Sequence, residues 1–160
     1  MARTTLHRSG RQRRTLAVDP SALLDLLGDV EELGALVLPL LEPAATRLQT
    51  PDPLWTVRPI GIGRSAYRVV LLPRVEHVSG DGLRTTADSS PTSDLPVRLL
   101  AHSSVRPTDV GTSLEVHWEL EVTLRLPRPL ALLAAPAVDQ TVAHVLDDLT
   151  TRAVSELEGD

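Results

Sequence analysis

Two histidines have carboxylates at spacings that could support chemistry. His117 lies between Glu115 and Glu119, and alternate residues of a strand project together, so the trio could form an acid–base pair or a cation site. His144 stands three and four residues before Asp147 and Asp148, the neighbour spacings of a helix, which again could serve proton transfer or hold a cation. His77 and His102 fall on other predicted strands and join neither group through sequence alone. Gly61-Ile62-Gly63-Arg64 contains a Gly-x-Gly, but no third glycine or helical pattern follows and no Gly-Lys-Ser/Thr is present, so it reads as a turn between strands. Ser89, Ser90, Ser103 and Ser104 lack a nucleophile-elbow context, and the absence of cysteine excludes thiol catalysis, disulfides and cysteine-ligated metal.

The strand that carries His117 decides against the first cluster. Leu114, Val116, Trp118, Leu120, Val122, Leu124 and Leu126 share one face, while Ser113, Glu115, His117, Glu119, Glu121, Thr123 and Arg125 share the other. The carboxylates and His117 therefore belong to a solvated face, and Trp118 to a buried one. His144 with its two aspartates reads likewise as a surface group of an amphipathic helix. Proton-transfer catalysis needs a buried polar group near its substrate, and no His, Asp or Glu occupies the apolar face of this strand. No catalytic residue, metal ligand or cofactor is assigned.

The chain of 160 residues, 42% hydrophobic and 23% charged, has the length of one domain and enough material for a core without staples. Its formal net charge of −5 hides an asymmetry. Residues 1–14 carry Arg3, Arg8, Arg11, Arg13 and Arg14 with no acid, whereas eleven Arg face all 21 Asp and Glu in the remainder. An acidic body repels phosphate backbones, so no nucleic-acid partner is expected. The Arg-rich start could mimic an organellar transit peptide but reads as a solvated arm or first strand, and no secretory h-region is seen. All basic residues are Arg, with no Lys, Asn or Phe, the drift expected of a GC-rich bacterial genome. The longest uninterrupted apolar candidate, Leu36 to Leu41, is broken by Pro39, so no membrane span is expected and the chain reads as soluble and cytoplasmic.

The elements that must position these residues follow from punctuation and period. Asp19 and Pro20 open a helix that Gly28 can close. Asp29 and Glu32, at capping-box spacing, open a second one that Pro39 stops. Alternation then predicts strands near Ala44–Gln49, Leu54–Ile60, Ala66–Val78, Leu83–Asp88, Val97–Val105 and Ser113–Leu126, with weaker alternation offering a further strand over residues 3–17. The short separators favour an antiparallel meander. Beyond Pro127 and Pro129, Val138, Val142, Val145, Leu149, Ala153 and Leu157 mark an amphipathic C-terminal helix, with Pro136 in its first turn and Leu130–Ala135 as a separate turn or kinked lead-in.

Strand, two short helices, about six further antiparallel strands and a long C-terminal helix: this order resembles the α+β helix-grip fold of the START-like superfamily, which includes polyketide cyclases and lipid-transfer domains. The resemblance covers nearly all of residues 1–160 as a single domain, and rests on Val18-Asp19-Pro20-Ser21-Ala22-Leu23-Leu24-Asp25-Leu26-Leu27-Gly28-Asp29 and on Gly111 to Leu126 leading into the terminal helix. It implies a curved sheet of six to seven strands gripping that helix and an apolar cavity between them. On that implication Trp55, Tyr67, Val116, Trp118, Leu120, Val138 and Val142 are the ligand-cavity candidates. Trp55, Tyr67 and Trp118 are the only aromatics, so the cavity would be mainly aliphatic and would suit a lipid or other apolar small molecule. The alternatives are a cyclase- or dehydratase-type enzyme with polar groups at the cavity mouth, and a protein-interaction adaptor with a packed core and an exposed apolar patch. Oligomeric state is not encoded in these patterns.

Overall fold

A computed structural model of the protein describes residues 3–36, 54–62, 65–79 and 81–158. In chain order they form β1 (Thr4–Leu16), α1 (Pro20–Gly28), α2 (Val30–Leu36), β2 (Trp55–Ile62), β3 (Ser65–Ser79), β4 (Gly82–Ser89), β5 (Val97–Thr108), β6 (Gly111–Leu124), α3 (Arg128–Leu132) and α4 (Ala135–Glu158). The strands make one antiparallel, open sheet in the order β1-β6-β5-β4-β3-β2. Strands β2 to β6 run as a meander, and the first strand closes against the last. The strand expected near Ala44–Gln49 lies outside the described residues.

Local signals explain the helices. The Asp19 carboxylate accepts from the Ala22 N–H at 3.1 Å, and Pro20 takes the first helical position, where its missing donor leaves nothing unpaired. Asp29 follows α1 in extended backbone and its Oδ1 accepts from the N–H groups of Glu31 and Glu32 at 2.9 and 3.3 Å, starting α2. Gly28 does not form the left-handed cap expected of it, since among the described residues only Gly111 has positive φ. Its small size serves a different contact: a β-carbon there would stand 3.1 Å from Nε2 of His77 on β3.

Strand β1, whose alternation is weak in sequence, is paired with β6 along its whole length from Thr4↔Leu124 to Leu16↔Thr112. The Thr4 hydroxyl donates to the Leu126 carbonyl at 2.8 Å at one end, and the Thr112 hydroxyl donates to the Val18 carbonyl at 2.6 Å at the other. Gly111 opens β6 with φ +147°, in the region that disfavours side chains, and a β-carbon there would lie 2.2 Å from the Leu16 carbonyl oxygen. The inner face of the sheet carries Leu6, Leu16, Leu71, Leu83, Ala87, Val97, Val105, Leu114, Val116, Trp118 and Leu124, all buried, and meets Leu23, Leu26, Leu27, Leu33 and Leu36 of α1 and α2. At about 25 cal/mol per Å² of apolar surface removed from water, this layer is the main stabilising term.

Candidate functional site

Helix α4 packs against edge strand β1 and against α1 and α2, and its middle is less buried than its ends. Ala135 is buried near the start, as are Leu149, Thr150 and Ala153 in the second half, whereas Val138, Val142, Val145 and Leu146 are only half-buried. Two ion pairs fix the helix to the edge strand. Arg8 on β1 donates from Nε and Nη2 to both carboxylate oxygens of Asp139. Arg14 donates to Asp147 Oδ1 at 3.0 and 2.6 Å. The Arg8 guanidinium holds the Asp139 carboxyl below the usual carboxylate range, and Asp139 in turn raises Arg8.

Facing the half-buried middle of α4, the inner face of the sheet sets small residues among large ones. One row across the strands reads Gly10, Trp118, Ala101 and Thr85, on β1, β6, β5 and β4, and the next reads Val116, Ser103 and Leu83 on β6, β5 and β4. The indole of Trp118 lies over Gly10, where a β-carbon would stand 2.7 to 2.8 Å from its ring atoms. The space above Ala101, Thr85 and Ser103 is left unfilled. The result is an apolar cavity of about 260 Å³ between the sheet and α4. Leu99, Val116, Trp118 and Leu120 line its floor, Leu27, Leu33, Trp55 and Val57 one side, and Thr141, Val142, Val145, Leu146 and Leu149 its roof. No charged residue and no histidine lines it among the described residues.

Of the seven residues named from sequence, Trp55, Val116, Trp118, Leu120 and Val142 line this cavity. Tyr67 is half-buried beside the core on β3, opposite Ile60, and Val138 is half-buried near the start of α4; neither lines it. Thr85, Leu99, Ala101 and Ser103 were missed because small and polar residues interrupt the apolar pattern of β4 and β5. The signal available was their parity with Leu83, Ala87, Val97 and Val105.

The titratable groups occupy other places. Glu115 does not gather with His117 and Glu119 around a cation. Its carboxylate, 20% exposed, receives Arg13 and Arg11 at 2.7 Å each and His117 Nε2 at 2.8 Å on the outer face of the sheet. These donors, Arg13 first, lower its pKa to about 2. Asp147, a helical neighbour of His144, faces Arg14. His102 stands opposite His117 across β5 and β6, also outside the cavity, and His77 rests against the end of α1. Among the described residues no group of three or more His, Asp or Glu could hold a metal ion. The helical segment Arg128–Glu158 is long and apolar enough to cross a membrane by length and composition, a property that core helices share.

No family model and no curated protein matches the sequence. Solved structures do match over nearly the whole chain. A START superfamily protein from Mycobacterium smegmatis superposes with a TM-score of 0.55 at 16% identity, covering 93% of this chain and 96% of that one. A conserved protein from Geobacillus kaustophilus gives 0.62 at 15% identity over 96% of both chains. A protein from Thermus thermophilus gives 0.60 at 18% identity over 93% of this chain and 99% of its own. At such identities the likeness speaks for architecture alone, and together with the element order, the single antiparallel sheet and the terminal helix lying over its inner face it shows that the chain has a START-like fold.

Proposed function

We propose that the protein binds an apolar small molecule or lipid between the sheet and α4. The observation that carries this reading is the cavity of about 260 Å³ lined mainly by aliphatic and indole groups, with no charged residue among the described ones. A core selected only for packing would fill such a space, because unfilled apolar volume forfeits contacts. Here the short side chains of Ala101, Thr85 and Ser103 leave it unfilled, and the Arg8–Asp139 and Arg14–Asp147 pairs tie α4 to β1. An enzymatic reading has less support, because among the described residues no Asp, Glu or His lines the cavity from which a proton could be moved. The test is native mass spectrometry of the purified protein against its denatured spectrum. A mass excess that disappears on denaturation, identified as a lipid or apolar metabolite, is the expected result. A bare native mass, together with no binding of N-phenyl-1-naphthylamine by fluorescence or of 1-decanol by calorimetry, overturns the proposal.

One observation favours a second reading, a protein-interaction role. Leu130, Leu132 and Leu133 at α3 are 52, 51 and 75% exposed while Ala131 between them is fully buried, so three large apolar side chains project outward from an anchored turn. This patch is separate from the cavity lining, and concentration-dependent self-association abolished by Leu132→Ser with Leu133→Ser would assign it to contacts between proteins.

A further inference from the structure

The cavity wall carries two hydroxyl groups that the protein itself does not use. We infer that the molecule bound there is a neutral amphiphile, an aliphatic chain with one uncharged oxygen function such as an alcohol, ketone or ester, whose oxygen is seated on Thr85 and Ser103. The inference rests on the cavity-binding reading above and adds the chemical class of the ligand.

Three observations lead to it. First, Thr85 and Ser103 stand at inner-face positions of β4 and β5, in line with Leu83, Ala87, Ala101 and Val105, where an aliphatic side chain would fill space at no polar cost. Their registers, Thr85↔Ala101 and Leu83↔Ser103, make them diagonal neighbours on adjacent strands. Such positions are roughly 7 Å apart, close enough for both hydroxyls to converge on one ligand oxygen. Second, neither hydroxyl bonds to another described residue. The third hydroxyl of the lining, on Thr141, is already used, donating to the Ala137 carbonyl at 2.8 Å. Thr85 and Ser103 are half-buried and their hydroxyls are open to water in the cavity; a ligand that covers them displaces that water, and an oxygen on the ligand is the group in a position to replace it. Third, among the described residues nothing charged lines the cavity, so an ionised carboxylate or ammonium would find no countercharge there.

Size narrows the class. At the packing density of protein interiors, 260 Å³ accommodates roughly ten to twelve non-hydrogen atoms. A medium-chain alcohol or methyl ketone meets all three conditions. A long diacyl lipid would have to enlarge the space.

The experiment is displacement of N-phenyl-1-naphthylamine from the full chain by 1-decanol, by decanoate at pH 8 and by the hydrocarbon heptylbenzene. It compares the wild type, Ser103→Ala alone, and Thr85→Val with Ser103→Ala. The wild type is expected to bind 1-decanol at least tenfold more tightly than decanoate. The double variant is expected to lose about tenfold in affinity for 1-decanol while its affinities for heptylbenzene and the fluorophore stay within twofold, which also reports that it is folded. Ser103→Ala alone should give an intermediate loss. Equal losses for alcohol and hydrocarbon, or decanoate bound as well as decanol, overturn the hydroxyl seat while leaving the cavity-binding reading in place. Failure of the wild type to bind the fluorophore and, by isothermal titration calorimetry, both 1-decanol and heptylbenzene overturns both readings.

Discussion

Gly10 and Trp118 face each other across the β1–β6 pairing, and the indole lies on the glycine so closely that a β-carbon there would sit 2.7 Å from Cζ2. The glycine in an edge strand is therefore a seat for the ring. Replacing it by alanine lowers the entropy of the unfolded chain, which alone would stabilise by about 0.4–1 kcal/mol. The overlap with a rigid ring outweighs that gain, since overpacking costs about 1–3 kcal/mol. Gly10→Ala is expected to lower stability by about 1–2 kcal/mol in urea unfolding, and it should also weaken fluorophore binding as the ring shifts toward the cavity.

Trp118 contributes volume more than hydrogen bonding. Its side chain is 6% exposed, and its Nε1 is the one buried side-chain nitrogen or oxygen among the described residues without a partner. An unsatisfied buried donor costs about 1–3 kcal/mol. Trp118→Phe removes that donor while keeping part of the ring contact, so its loss should stay below about 1.5 kcal/mol, whereas Trp118→Ala should cost about 3–5 kcal/mol. Thermal or urea unfolding of the two variants gives the comparison, and equal losses would show that the N–H is satisfied in solution.

The ion pairs that hold α4 over the cavity are accessible to solvent, with Asp139 and Asp147 side chains 39 and 56% exposed. Solvent screening and the ordering of two long side chains leave each of them a small net contribution to stability. Asp139→Asn with Asp147→Asn is therefore expected to leave the fold intact and to lower the melting temperature by no more than about 2–4 °C, with the difference shrinking in high salt. The larger effect should be local: faster hydrogen exchange along α4 from Val138 to Leu146 and faster ligand release. Unchanged exchange there would show that apolar contacts alone position the helix.

Glu115 sets an acid-side limit on stability. Its pKa falls from 4.5 to about 2 in the folded chain, caused by Arg13, then Arg11, then His117, with Ser104 opposite it on β5. A carboxyl depressed by folding contributes stability that is fully present above its ordinary pKa and is lost as pH drops through the folded value. Glu115→Gln removes this contribution. The melting temperatures of wild type and variant should therefore differ most above pH 5 and converge on approach to pH 2, a window that differential scanning fluorimetry covers.

The elements were legible wherever a single rule governed them. Asp19 and Pro20 mark α1, and the seven-residue apolar alternation of β6 marks the innermost strand face, because a cap and a half-buried strand each have one local physical cause. β1 was faint because three of its inner-face positions answer to partners more than 100 residues away: Gly10 to the Trp118 ring, Arg8 to Asp139 and Arg14 to Asp147. Residues chosen for a long-range contact interrupt the local period. The candidate site shows the same division. Val116, Trp118 and Leu120 follow from strand parity, while Thr85, Ala101 and Ser103 matter because of the space above them, and space is a property of two packed layers that neither strand's pattern contains. Equally, the spacing of His144 and Asp147 gave no sign that Asp147 turns to Arg14 instead.

Ala101 offers the most direct test of whether that space is a binding cavity. It stands between Trp118 and Thr85 in the cross-strand row, is half-buried, and lines the floor. Ala101→Leu adds three carbons directly into the cavity. In a fully packed core such an insertion costs about 1–3 kcal/mol through displaced neighbours. In an open apolar cavity it removes further apolar surface from water, worth about 0.8 kcal/mol per methylene before side-chain ordering is subtracted. The substitution is therefore expected to leave the melting temperature unchanged or raise it, and to weaken N-phenyl-1-naphthylamine binding by at least tenfold. A destabilised Ala101→Leu variant would mean that the floor is already filled in solution, and the ligand site would have to be sought elsewhere on the molecule.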